Sequence, residues 1–211
     1  MTLIVRIAQL TQPNLSTKAQ AVGRAQLLTI PYSHFNEVAK FSLKVAGVPF
    51  EELAYPPIAH VLPTLATRLP ASGERHVPAA PNGGKGNPTL LPLCAMPDGT
   101  MLVDSWAIVD YVSEVKPELG RLPESLRRLL NEQLGPLSRQ ALYALILKDT
   151  NYSIWTGLIM HKTGWRWRGV WRVLGRRFTE RFKTMFKASD PLAVAECRSK
   201  LRQLRVSPDR G

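Results

Sequence analysis

Cysteine is scarce: two residues, Cys94 and Cys197, in a chain of 211. That number cannot build a disulfide framework and points to a reducing compartment. Neither cysteine lies at metal-ligand spacing from the other or from the four histidines, so the sequence offers no metal centre. Long apolar runs are missing too. No stretch of about 18 apolar residues occurs, which leaves no transmembrane helix to expect. Acidic residues number 16 against 28 Lys+Arg, a net charge of +12. The shortage is uneven. Residues 1–24 contain no acid at all and the first is Glu37; residues 25–120 are net −3; residues 121–211 are net +12. A basic second half suits an anionic lipid surface, a nucleic acid or an acidic protein, or is simply a solvated basic surface.

What is present is a globular balance, 45% hydrophobic and 21% charged, which excludes wholesale disorder. The length suits one large domain or two small ones, at about 100–200 residues each. The acid-poor residues 1–24 read as an N-terminal extension, either flexible or an organelle-targeting segment. Arg6 interrupts Leu3-Ile4-Val5, which argues against a secretory signal. A cytoplasmic protein is the leading expectation and an organelle the alternative.

From Ala25 the pattern alternates. Ala25 to Ile30 is a short β-branched run ending at Pro31 and reads as a buried strand. Phe35 to Ala46 has helical spacing and a Gly47 stop. Phe50 to Tyr55 is a second strand, and residues 56–89 are mostly loop with one weak helix near Val61 to Arg68. Leu90 to Met96, Asp98-Gly99 and Met101 to Val103 form a strand, a hairpin turn and a strand. Pro92 removes a ladder donor inside that strand, a position suited to an edge, a special turn or a cis peptide. Asp104-Ser105 caps a helix through Val112, and Pro117 to Pro123 is a linker. The order is β-α-β-loop-β-β-α.

Beyond Pro123 the pattern is helical. Leu126, Leu129, Leu130, Leu134, Leu137, Leu142 and Leu145 recur at helix spacing, with Gly135-Pro136 as a kink or break. Trp167, Trp171, Leu174, Phe178, Phe182 and Met185 then make an aromatic stripe between Trp165 and Lys187, with basic residues on the other side and Gly169 and Gly175 weakening the helix. Such a stripe either packs against the helix around Leu130 to Ile146 or enters an anionic membrane surface. A last helix runs from Leu192 to Val206.

Three stretches together resemble the glutathione S-transferase family: Leu27 to Leu43 with Ala46-Gly47-Val48-Pro49-Phe50, Leu91-Pro92-Leu93-Cys94 up to Thr100, and Asp104-Ser105-Trp106-Ala107-Ile108 up to Val112. They look like that family's first strand with its catalytic turn, its cis-proline strand and hairpin, and its acid-serine helix start. The resemblance implies an α+β/α architecture, with a thioredoxin-like glutathione-binding domain over 25–116 and an all-α domain over 123–206 that is divergent or truncated. It implies an enzyme that activates the glutathione thiol for attack on, or reduction of, a small electrophilic substrate, generally as a homodimer. Residue by residue, Ser33 takes the place of the catalytic hydroxyl or thiol, with neighbouring Tyr32 as the alternative donor. Leu91 and Pro92 meet the cysteinyl backbone, and Asp104 and Ser105 the γ-glutamyl end. Lys85 or His76 faces the glycyl carboxylate.

Departures from the family pattern are His34, where many members have proline, the long segment from Pro56 to Thr89, and the lack of recognisable later helices. The rival expectation is a non-catalytic module of the same fold, associated with a membrane surface through its basic half. A thiol-disulfide exchange protein is disfavoured by the lack of Cys-x-x-Cys, and nucleic-acid binding rests on charge alone.

Overall fold

The computed structural model describes residues 14–68, 90–163 and 165–204. The chain divides into two compact units, Met1–Arg121 and Leu122–Gly211.

The first unit is mixed α/β. Its elements are α1 (Leu15–Val22), β1 (Ala25–Thr29), α2 (His34–Val45), β2 (Phe50–Ala54), α3 (Val61–Arg68), β3 (Leu93–Ala95), β4 (Met101–Val103) and α4 (Ser105–Val115). The sheet order is β2-β1-β3-β4, with β1 parallel to β2 and antiparallel to β3, and β3 antiparallel to β4. Strand β1 is buried along its whole length, as a central strand covered on both faces must be. Alternate residues feed two cores. Ala25 and Leu27, with Cys94, pack under Ala39 and Leu43 of α2 and Ile108 and Val112 of α4. Leu28, Leu93 and Val103 pack under Leu15 and Ala19 of α1. The sheet is therefore covered by α2 and α4 on one face and by α1 on the other, where the Leu15 N–H donates to Thr67 Oγ1 of α3 at 3.5 Å.

Within the stretch 1–24 read from sequence as an N-terminal extension, Leu15–Val22 forms helix α1. Asn14 caps it, its Oδ1 accepting from the Ser16 and Thr17 N–H groups, and Gly23 ends it at φ 63°. Its burying residues are only Leu15 and Ala19, a stripe too short to stand out in sequence. The tie to the sheet is also polar. Lys18 Nζ meets Glu51 at 2.8 Å, and buried Gln26 donates to the same carboxylate at 3.1 Å. These bonds, that of Lys18 first, hold the Glu51 carboxyl below its ordinary range.

The second unit is helical throughout its described residues: α5 (Glu124–Arg128), a π-helical stretch (Leu129–Leu134), α6 (Gly135–Ile146), α7 (Tyr152–Thr163), α8 (Arg168–Met185) and α9 (Pro191–Gln203). Gly135-Pro136 does not break the helix. Pro136 has no N–H to give an α-helical partner, and the preceding turn widens to the π register, which accommodates it. The rings of the stripe, Trp171, Phe178 and Phe182, pack within this unit, whereas Leu174 and Met185 of the same stripe are exposed. Trp171 is 2% exposed and donates from Nε1 to Thr156 Oγ1 at 3.3 Å. Tyr143 of α6 meets the rings of Phe182 and Phe186, and Phe178 stacks against Phe182 with centroids 4.1 Å apart. Among the described residues no helix is long and apolar enough to cross a membrane.

Candidate active site at the start of α2

The sheet register gathers the residues singled out in the sequence at one end of the first unit. Leu28 lies opposite Leu93, and Leu93 opposite Val103. The chain leaving β1 toward Ser33, the chain entering β3 from Pro92 and the chain leaving β4 into Asp104-Ser105 therefore share that end.

Ile30 to Ser33 forms a tight turn, closed by the Ser33 N–H donating to Ile30 O at 3.3 Å. Pro31 sets the first corner and Tyr32 takes the second at φ 62°, the arrangement of a type II turn. Non-glycine residues resist that region by roughly 1–2 kcal/mol, so the surroundings must hold Tyr32 there. Asn36 is one such support. It is buried and its Nδ2 donates to the same Ile30 carbonyl at 2.9 Å. The sequence reading missed Asn36; an amide in the first turn of a helix, three residues past its cap, was the available signal.

Ser33 is the N-cap of α2, with extended backbone at φ −77° and ψ 123°, and its hydroxyl makes no capping hydrogen bond. Its carbonyl accepts from the Glu37 N–H at 2.9 Å. The half-buried hydroxyl thus stands at the positive end of the helix dipole without the duty that serines usually perform there. Glu37, in the first turn, is neutralised by Lys40, which also reaches Glu52 at 3.2 Å.

The Leu91–Pro92 peptide is cis. Pro92 is buried and Leu91 half-buried. The Pro92 carbonyl accepts from the Asp104 N–H at 2.9 Å, joining the second and third sequence stretches directly. Asp104 has φ 77° and ψ 168°, a region almost reserved for glycine that costs about 1–3 kcal/mol. Its Oδ1 accepts from the Trp106 N–H at 2.7 Å and the Ala107 N–H at 3.0 Å, capping α4. Asp104 is 8% and Ser105 2% exposed. Capping of α4 is thus carried by the Asp104 side chain.

Cys94, opposite Leu27 in β3, is fully buried and its thiol is pushed up to about 12 by burial, so it supplies no thiolate. Among the described residues no cluster of His, Cys, Asp and Glu is able to hold a metal ion. His76 and Lys85 lie outside the described residues.

Comparison with known proteins adds no relative: no protein family, curated protein or solved structure matches this chain.

Proposed function

We propose that this chain is a glutathione transferase-like enzyme, its first unit a thioredoxin-like domain that binds glutathione and lowers the pKa of its thiol. The observation that carries the reading is the Ser33 hydroxyl, held at the N-cap of α2 and not spent on capping. A thiol with a pKa of about 8.5 is only a few per cent thiolate at neutral pH. A hydroxyl donating to the sulfur, worth about 1.5–3 kcal/mol toward the anion, lowers that pKa by one to two units, and the helix N-terminus acts in the same direction. The Leu91 backbone beside Pro92 serves the cysteinyl group of the tripeptide, and the negative charge of Asp104 its γ-glutamyl ammonium. The thiolate then attacks a small electrophile, in a protein that functions as a homodimer.

One observation favours the second reading, a non-catalytic module of the same fold: Ser105 is buried, and Oδ1 of Asp104 is committed to two helix N–H groups. Ultraviolet titration of the bound thiolate separates the two. The parent protein should hold the thiol at least about one pH unit below free glutathione, and Ser33→Ala should return it. A shift unmoved by Ser33→Ala but removed by Tyr32→Phe transfers the role to Tyr32. No shift at all leaves the binding module.

A further inference from the structure

Helix α8 buries the indole and phenyl rings of the face that the sequence made conspicuous and exposes the rest of its apolar residues. Its 18 residues span about 27 Å. Trp171, Gly175 and Thr179 are buried, with Phe178 and Phe182 half-buried beside them. At about 3.6 residues per turn, Val173, 73% exposed, lies nearly opposite Trp171, and exposed Val170 and Leu174 lie on one flank between the two. Exposed Arg177 and Arg181 fall among these three apolar side chains and exposed Arg176 borders Val173, while exposed Arg172 lies on the other flank of the helix. Glu180 is the one acid of the helix, and it is held by Lys183, which also takes Asp149. No ion pair among the described residues reaches Arg172, Arg177 or Arg181. At the head of the helix, Trp165 is 74% exposed, next to exposed Lys162 and Arg168.

We propose that this outward face of α8 docks on an anionic lipid surface, with Val170, Val173 and Leu174 entering the headgroup boundary and the surrounding arginines meeting lipid phosphates. One feature chooses lipid over a nucleic acid, the other phosphate-rich partner. The face is amphipathic: arginine stems lie along apolar ground while their heads reach anions, the way such side chains behave at a bilayer surface. A phosphate backbone alone gives no use for three exposed aliphatic side chains. The inference does not depend on the glutathione reading, because it rests on the second unit alone. It also replaces the sequence-based picture in which the aromatic stripe itself meets the membrane: Trp171 is occupied inside the unit.

The test is sedimentation of the full chain with vesicles of equal parts phosphatidylserine and phosphatidylcholine, and with phosphatidylcholine alone. The protein should pellet with the anionic vesicles only, and less as salt rises. Arg177→Glu with Arg181→Glu, and separately Val173→Asp, should each lower partitioning at least about tenfold. Both alter exposed side chains, and unchanged circular dichroism will show that the fold is kept. Absence of pelleting at low salt overturns the proposal, as does parent-like binding by either variant. If duplex DNA strips the parent from vesicles and Val173→Asp still binds both, the face reads phosphate charge only and the lipid assignment falls.

Discussion

Asp104 offers a substitution series whose order follows from its geometry. The side chain caps α4 through two N–H groups, one of them belonging to buried Trp106. Losing such a cap costs about 1–2 kcal/mol, with a few tenths more for the carboxylate charge at a helix N-terminus. Asp104→Ala incurs that loss and keeps the backbone at φ 77°, where an alanine is as strained as an aspartate. Asp104→Gly incurs the same loss but relieves strain of about 1–3 kcal/mol, against up to about 1 kcal/mol of added chain entropy in the unfolded state. Asp104→Asn retains the acceptor and suits positive φ, so only the charge contribution goes. Urea unfolding should rank stability as parent, Asn, Gly, Ala, with Gly above Ala by about 1 kcal/mol. A parent-like Asp104→Ala would refute the capping energetics, and glycine below alanine would refute the strain. The asparagine variant serves the functional question as well. It should fold nearly as well as the parent yet bind glutathione more weakly, by about 1–3 kcal/mol, if the carboxylate meets the γ-glutamyl ammonium.

Two glycines of α8 should respond oppositely to alanine: at exposed Gly169 an added Cβ meets nothing within 4 Å and should stabilise, by up to about 1 kcal/mol, whereas at Gly175 it lies 2.8 Å from Cε2 of the Trp171 indole and overpacking should outweigh the gain. Thermal melts of the pair decide this, and a more stable Gly175→Ala would contradict the packing around Trp171. His60 gives a pH signature, because burial lowers its pKa from 6.5 to about 4, against the weaker effect of the hydrogen bond its imidazole donates to the Pro56 carbonyl. The unfolded chain takes up that proton first, so stability is whole above pH 6.5 and declines as pH falls toward 4, by at most about 3 kcal/mol. His60→Gln should flatten unfolding free energy in that window, and an unchanged slope would show that His60 is not buried neutral.

Much of the first unit was legible because its signals are local. Ala25 to Thr29 and Phe50 to Ala54 are short segments bounded by Pro and Gly, and they fold as β1 and β2 almost to the residue. Asp98-Gly99 announced the hairpin, where Gly99 takes φ 91° and Asp98 Oδ1 accepts from the Thr100 N–H at 2.8 Å. Even the weak helix at Val61–Arg68 stands. What escaped was decided by tertiary contact. Gly175 reads as a flaw in a helix until the indole it makes room for is in place. A stripe of aromatics fixes a buried face but not whether protein or lipid covers it. At the site, the sequence marked Ser33, Pro92 and Asp104 one at a time. Their common end of the sheet follows only from the β1-β3-β4 register, and the support of the Ser33 turn by Asn36 only from the fold.

Titration calorimetry of the purified chain with glutathione tests the central claim most directly. The account predicts saturable binding at one site per chain, weakened by Asp104→Asn and kept by Ser33→Ala, whose effect falls on the thiol's ionisation. A parent protein that gives no saturable heat up to millimolar glutathione, while folded by circular dichroism, would contradict it.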